Sequence, residues 1–267
     1  MRRNDIGMKN QHLKNLNKIE FVVTDACTGR CIHCSQGEHP VRGAKIDPDL
    51  AAETVRRVSE VYELQTVMTF GGEPLLHPDA VERIMAVATE LAIPRRQLIT
   101  NGYFSRNGGQ IRRMAERLAA CGVNDLLLSV DAFHQETIPL EVVMQFAKAA
   151  VGQGIPVRLQ PAWLVSATDD NPYNAKTREL LAHFCELAIP VGEGNVIFPE
   201  GRANQYLTEY FADGNAVENP YVEDPRDLRC LSVSPNGEML GGNLYRQDVM
   251  EIIRRYHPSN QDQGGTV

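Results

Sequence analysis

Residues 21–39 read FVVTDACTGRCIHCSQGEH and contain three cysteines, Cys27, Cys31 and Cys34, in the spacing Cys-x3-Cys-x2-Cys. The residues just before them, Ile19–Thr24, are mostly apolar or β-branched, and such a run predicts a buried strand. The cysteines therefore lie on the loop that leaves this strand. Three closely spaced thiols on one loop indicate a metal centre.

Three thiolates can bind three irons of a [4Fe–4S] cluster and leave the fourth iron without a protein ligand. A cluster that only transfers electrons normally has four protein ligands. An iron without a protein ligand can coordinate a small molecule and activate it, so the number of cysteines predicts chemistry. The same spacing also allows a structural zinc site, with His33 or His39 as the fourth ligand.

The composition is that of an ordinary globular protein. The chain has 267 residues, of which 43 % are apolar and 23 % are charged, and its formal net charge is −7. This balance gives no general attraction to nucleic acid, so we expect no nucleic-acid partner. The chain has neither an apolar run of about 20 residues nor a signal-peptide pattern, so we expect a cytoplasmic protein without a membrane contact. In that compartment we expect its cysteines to be reduced.

Apolar runs alternate with amphipathic segments from residue 19 onward, which is the pattern of strand–helix units around a parallel sheet. The predicted strands are Ile19–Thr24, Thr66–Phe70, Gln97–Thr100, Asp125–Val130, Pro156–Leu164 and Asn195–Phe198. Six such units predict an α/β fold, a partial (β/α)6 TIM-like barrel with a short C-terminal cap. A doubly wound sheet is the less favoured alternative.

The same alternation predicts three regions. Residues 1–18 form an N-terminal extension, residues 19–200 form the barrel, and residues 201–267 form the C-terminal segment. In the last region we expect a hairpin that turns at Pro235-Asn236-Gly237 and a short final helix over Asp248–Tyr256.

Polar residues and glycines follow the predicted strands where a barrel places its functional groups, at the carboxyl ends of the strands. They are Gly71, Gly72, Glu73, Asn101, Ser129, Asp131 and Gln160. Together with the cysteine loop they predict one shared pocket.

The cysteine loop, followed by Gly71-Gly72-Glu73-Pro74 after the second strand, resembles the radical S-adenosylmethionine (SAM) enzymes. The resemblance covers residues 19–200. By general similarity the chain also resembles the short bacterial radical SAM mobile pair proteins.

The resemblance implies a role for each residue of the predicted pocket. Cys27, Cys31 and Cys34 would bind a [4Fe–4S] cluster, whose fourth iron would be chelated by SAM. Gly71, Gly72 and Glu73 would accept from the methionyl ammonium, and Ser129 and Asp131 would bind the ribose. His33 would lie against the adenine, and Asn101 and Gln160 would face the same pocket.

The implied reaction is reductive cleavage of SAM to a 5′-deoxyadenosyl radical that abstracts hydrogen from a peptide or a small molecule. An external low-potential donor, a flavodoxin or a ferredoxin, would supply the electron. Cys230 stands where many peptide-modifying relatives begin an auxiliary cluster, but no cysteine follows it, so we predict one cluster only. The competing hypothesis is a zinc-binding regulatory or adaptor module without catalysis.

Overall fold

The computed structural model describes residues 9–214 and 217–258. Residues 1–8 of the predicted N-terminal extension lie outside the described residues. The strands, in chain order, are β1 (Lys18–Val22), β2 (Thr66–Phe70), β3 (Arg95–Thr100), β4 (Asp125–Ser129), β5 (Val157–Gln160), β6 (Ala162–Trp163), β7 (Asn195–Val196), β8 (Cys230–Val233), β9 (Glu238–Met239) and β10 (Gly242–Asn243). The α-helices are α1 (Pro48–Ser59), α2 (Pro78–Glu90), α3 (Gly108–Ala120), α4 (Ala132–Gln135), α5 (Leu140–Gly152), α6 (Pro172–Ala182), α7 (Ala203–Tyr206) and α8 (Val249–Arg255).

The main sheet has six strands in the order β5-β4-β3-β2-β1-β8, and every neighbouring pair is parallel. The α/β class and the partial barrel are confirmed, and the barrel is not closed. Parallel strands need long connections, and the helices between the strands supply them.

Two predicted strands differ from the observed ones. The run Pro156–Leu164 is divided into β5 and β6 at Pro161, since proline has no N–H to donate to a ladder. The predicted sixth strand, Asn195–Phe198, is only the two-residue β7 and pairs with β6 in a separate small sheet. The sixth place in the main sheet belongs to β8, because strand pairing depends on contacts distant in sequence.

The predicted boundary near residue 200 does not coincide with an edge of the main sheet. β8 lies beside β1, with Lys18 opposite Cys230, and α8 packs against α1. The final helix forms as predicted, and at its start the Asp248 side chain accepts from the backbone N–H groups of Met250 and Glu251.

The hairpin of the C-terminal region is shifted from its predicted position. A turn does form at Pro235–Gly237, where Ser234 N donates to Glu238 O at 3.0 Å. The strand before this turn, however, pairs with β1. The antiparallel pair is β9 with β10, and it turns at Leu240 and Gly241, which both have positive φ.

The two faces of the main sheet differ in chemistry. One face carries the apolar residues that pack under the helices, among them Ile19, Phe21, Leu98, Leu126 and Leu159. Side chains alternate along a strand, so the residues between these apolar ones point to the opposite face of the sheet. We call this opposite face the inner face. Neighbours in register on the inner face include Glu20, Met68, Gln97 and Asp125.

Ion pairs cover much of the inner face. Arg158 forms a two-pronged pair with Asp125, with N–O distances of 2.9–3.1 Å, and Gln97 Nε2 donates to the same carboxylate at 2.7 Å. Lys18 Nζ lies 2.6 Å from Glu20 Oε2.

The residues that lead from β7 back to β8 cross this face, and we call residues 197–214 and 217–228 the crossing segment. The Tyr221 hydroxyl donates to Asn195 Oδ1 at 2.7 Å, and Arg202 N donates to Cys34 O at 2.9 Å. The segment therefore contacts β7 and the cysteine loop. Among the described residues, no helix is long and apolar enough to cross a membrane.

Candidate functional site

The cysteine loop begins where β1 ends, and local hydrogen bonds hold its first residues. Thr24 Oγ1 donates to Ala44 O at 2.8 Å and accepts from Ala26 N at 3.1 Å. A Cβ on Gly29 would lie 3.2 Å from Cys31 Sγ and 3.7 Å from Cys27 Sγ. The two sulfur atoms therefore flank the same small space beside Gly29.

The three thiols of the loop influence one another. Burial is the main cause that raises the pKa of each, to about 11 for Cys27, and the neighbouring thiols raise the pKa of Cys27 and Cys31 further. A bound metal reverses this effect because its positive charge favours thiolates. The donor set of three grouped thiols therefore fits an iron–sulfur cluster.

His39 contacts one of these thiols. Its Nε2 lies 3.2 Å from Cys34 Sγ, and its Nδ1 lies 2.8 Å from Asp25 O. His33 lies elsewhere, with its ring centroid 4.9 Å from that of Phe133 and 4.8 Å from that of His134.

The end of β2 packs closely against the cysteine loop, and this explains its two glycines. A Cβ on Gly72 would lie 2.2 Å from Ala26 O, and a Cβ on Gly71, whose φ is +137°, would lie 2.8 Å from Thr24 O. Gly72 N donates to Thr24 O and Glu73 N donates to Ala26 O, both at 2.8 Å. Because glycine has no Cβ, Gly71 and Gly72 let the end of β2 pack directly against the cysteine loop. This packing alone requires glycine at both positions, whether or not a ligand is bound.

The Glu73 side chain is completely buried. Its Oε1 accepts from Thr100 Oγ1 at 2.7 Å and from Leu75 N at 2.9 Å, and its Oε2 accepts from Asn101 N at 2.9 Å. Burial raises the pKa of Glu73 to about 7, although these hydrogen bonds act in the opposite direction. The carboxyl group therefore joins the end of β2 to the end of β3.

Asn101 connects this junction to the cysteines. Its Nδ2 lies 3.2 Å from Thr28 Oγ1 and 3.6 Å from Cys27 Sγ. Its Oδ1 accepts from Tyr103 N at 2.8 Å. The side chain is thus oriented toward the cysteine loop.

Asp131, directly after β4, is also completely buried. Its Oδ1 accepts from the backbone N–H groups of Phe133 and His134, and its Oδ2 accepts from Ala162 N at 3.1 Å and pairs with His134 Nδ1 at 2.7 Å. Burial raises its pKa, but the charge and hydrogen bond of His134 outweigh burial and lower the pKa to about 2. All four acceptor positions of this carboxylate are used within the protein.

Ser129 and Gln160 are partners in register at the carboxyl ends of β4 and β5. Ser129 is buried, and Gln160 Nε2 donates to Asn195 Oδ1 at 3.3 Å. Both residues lie on the inner face, two positions beyond Leu127 and Arg158. They stand between the cysteine-loop edge of the sheet and its ion pairs.

The structure therefore brings the predicted residues together along one edge of the sheet. The cysteine loop contacts Gly71, Gly72 and Asn101 directly. His33 reaches the end of β4 through its contact with His134.

A sequence model of the Radical SAM superfamily matches residues 21–164, more than half of the chain. The chain belongs to the radical SAM superfamily. It is an enzyme whose cofactors are a [4Fe–4S] cluster and SAM. The non-catalytic adaptor hypothesis is therefore not supported, and the nearer relation to mobile pair proteins stays a prediction.

Curated relatives include GTP 3′,8-cyclases. The enzyme of Desulforamulus reducens is 27 % identical over 206 residues, which cover 70 % of this chain and 60 % of that protein. The enzyme of Mesorhizobium japonicum is 28 % identical over 166 residues, which cover 58 % of this chain and 49 % of that protein. The matched region thus spans half to three fifths of the length of these relatives.

Solved structures share the fold. Streptococcus suis SuiB bound to S-adenosylmethionine has a TM-score of 0.60 and 16 % identity, and the match covers 94 % of this chain and 71 % of that one. The protein anSMEcpe with bound AdoMet has a TM-score of 0.53 and 14 % identity, with 90 % and 80 % of the chains covered.

Several residues of this region were not singled out by the sequence. Thr28 lies inside the cysteine motif and Thr100 ends β3, but the partners of their hydroxyls, Asn101 and Glu73, are distant in sequence. Tyr221 and Glu20 meet at the inner face only after folding. The sequence left His134 open between pocket lining and ordinary packing, and the structure pairs it with Asp131, three residues before it at the start of α4.

Proposed function

We propose that this radical SAM enzyme binds its cluster through Cys27, Cys31 and Cys34 and acts on a peptide or small molecule held on the inner face of the sheet. The single observation that carries this proposal is the packing of the cysteine loop against the Gly71–Glu73 turn and Asn101. It brings a three-thiol donor set to the carboxyl edge of a parallel sheet.

When bound, the cluster supplies the electron that splits SAM and yields a 5′-deoxyadenosyl radical. The residues of the chain orient the groups around it. The hydrogen bonds from Gly72 and Glu73 to the cysteine loop fix the spacing between β1 and β2. Such fixed geometry is the main contribution of a protein to cofactor chemistry.

The methionyl end of SAM would lie at the Gly71–Glu73 turn, where backbone carbonyls can accept from its ammonium group. The Glu73 carboxyl already accepts from three donors, so its role is to hold the turn and Asn101 in position. We assign the turn to binding through its backbone and Glu73 to positioning.

The ribose and the adenine would lie toward β4 and β5. Ser129 and Gln160 are adjacent there and can offer a hydroxyl and an amide. Asp131 supports this edge by capping α4 and by fixing His134, and His33 offers a ring for the adenine. Asp131 is thus assigned to positioning instead of direct ribose binding.

The substrate would occupy the inner face below SAM. This face presents both charges, in the pairs Lys18–Glu20 and Arg158–Asp125, and it is crossed by Tyr221. A surface of paired charges suits a substrate that itself carries polar or charged groups. The crossing segment would then exclude water from the radical.

Two comparisons support a peptide or small-molecule substrate. The GTP 3′,8-cyclases that the chain is similar to are named for a nucleotide reaction, and SuiB has also been solved with its precursor peptide SuiA, with a TM-score of 0.60. The electron would come from an external flavodoxin or ferredoxin in the cytoplasm.

Anaerobic reconstitution with iron and sulfide tests the proposal. We expect about four irons per chain, a brown chromophore bleached by dithionite, and 5′-deoxyadenosine formed from SAM. A protein that retains no iron, or one that holds four irons but never cleaves SAM, would overturn it. Profiling peptides and metabolites from cells with and without the protein then identifies the substrate.

A further inference from the structure

Three metal-binding side chains converge beside the predicted cluster loop. One donor atom each from Cys31, His33 and His134 lies within 4.8 Å of the other two. Cys31 is buried, and both histidines are partly buried. Among the histidine, cysteine and acidic side chains of the described residues, these three form the group with donor atoms this close together.

His134 is oriented as metal-binding histidines are in known sites. His134 Nδ1 pairs with Asp131 Oδ2 at 2.7 Å, which leaves Nε2 for another partner. Metal-bound histidines usually direct their second nitrogen to a carboxylate or a carbonyl in this way. The three backbone N–H groups that bind Asp131 fix the position of the pair.

His33 gives an independent indication that a ligand is missing. His33 Nδ1 is buried and has no hydrogen-bond partner. A buried polar atom without a partner is costly, and one such atom in a native structure requires an explanation. A metal ion between the two imidazoles and Cys31 would satisfy it.

We infer that Cys31, His33 and His134 form a mononuclear zinc site in the cluster-free protein, with Asp131 orienting His134. One thiolate and two imidazoles are ligands that Zn²⁺ prefers, and a water completes four-coordination. Because Cys31 is also a proposed cluster ligand, zinc and the cluster exclude each other. Zinc bound here must therefore leave before the cluster assembles.

Cobalt titration of the full-length, cluster-free protein tests the site, with Co²⁺ as the coloured probe for Zn²⁺. We expect one equivalent to bind with the visible bands of a four-coordinate ion and a charge-transfer band of a single thiolate. His33→Phe, which keeps a ring against Phe133, and His134→Gln should each weaken Co²⁺ binding about tenfold or more. Cys27→Ser and Cys34→Ser are the matched controls and should bind Co²⁺ as the wild type does.

X-ray absorption of the zinc-loaded wild type gives a second readout that needs no variant. One sulfur ligand with nitrogen and oxygen ligands supports the site. Three sulfur ligands, or equal loss of Co²⁺ in Cys27→Ser and Cys34→Ser, would assign the metal to the cysteine triplet and overturn it. Failure to bind either ion would also overturn it. A normal iron content after reconstitution would still leave the proposed function standing.

Discussion

Glu73 at the end of β2 and Asp131 at the end of β4 are both completely buried carboxyl groups, yet they differ in charge at neutral pH. Glu73 accepts from a hydroxyl and two amides, all neutral, and burial raises its pKa to about 7. Asp131 faces His134, which outweighs burial and lowers its pKa to about 2. The two equally buried carboxyl groups thus have net pKa shifts of opposite sign, because the partner of each group decides whether its charged form is stabilised.

The difference suggests separate tasks for the two sides of the site. We call them the β2 edge, at the end of β2, and the β4 edge, at the end of β4. The β2 edge holds the cysteine loop by backbone hydrogen bonds and close glycine contacts, with a carboxyl group that changes charge near neutral pH. The β4 edge is held by a fixed negative charge and an imidazole. Four predictions test this contrast.

The largest effect concerns the cysteine loop that lies between the two edges. Cys31→Ala should abolish both the brown chromophore and the cleavage of SAM, because it removes one of three proposed cluster ligands. Cys121→Ala, at a buried thiol that follows α3, should keep both. Iron analysis and detection of 5′-deoxyadenosine measure the outcome, and equal losses in the two variants would show that the ligands are wrongly assigned.

The next effect is at the β4 edge. Asp131→Asn should lower the free energy of unfolding of the cluster-free protein by about 3–5 kcal/mol at pH 7, because an amide nitrogen replaces one carboxylate oxygen and leaves the His134 ring without its buried negative partner and Ala162 N without its acceptor. Urea unfolding measures it. In the wild type, the contribution of Asp131 is present above pH 3.8 and is lost as the pH falls toward about 2. A loss below about 1 kcal/mol would mean that this carboxylate does not anchor the edge.

Glu73→Gln should show the opposite dependence on pH. A carboxyl group whose pKa is raised on folding favours the folded state only while it is protonated, so this contribution is full below pH 4.5 and is lost as the pH rises through about 7. Relative to the wild type, the variant should therefore gain about 3 kcal/mol between pH 4.5 and about pH 8. Unfolding curves at both pH values test this, and a constant difference would remove the contrast with Asp131.

The smallest effect is expected at Ser129. Ser129→Ala removes one neutral hydroxyl proposed to bind the ribose, which is worth about 0.5–1.5 kcal/mol, or up to about tenfold in the Kd for SAM. Iron content and stability should not change. Equilibrium binding of SAM to the reconstituted protein measures the effect, and an unchanged Kd would separate Ser129 from the SAM site.

Much of the site was predictable from local sequence. The cysteine spacing and the glycines after β2 stand in short motifs, and the strands β1–β4 follow from apolar runs whose residues bury one face. The start of α1 is likewise a local feature, since the Asp47 side chain accepts from Leu50 N three residues further on. These features depend on neighbours only a few residues away.

The remainder depends on contacts between distant residues. The place of β8 beside β1, the crossing of the inner face by Tyr221 and the pairing of Arg158 with Asp125 join segments that no local pattern connects. Predicting Asn195–Phe198 as the sixth strand of the main sheet was wrong for this reason.

The sequence by itself determined the α/β class, the thiol donor set and the edge of the sheet where the chemistry is expected, since periodicity and motif spacing are local properties. Only the tertiary structure decided which strand completes the sheet, which buried acid is charged, and that His33 and His134 meet Cys31. Charge and coordination depend on distance and burial, and folding alone sets these quantities.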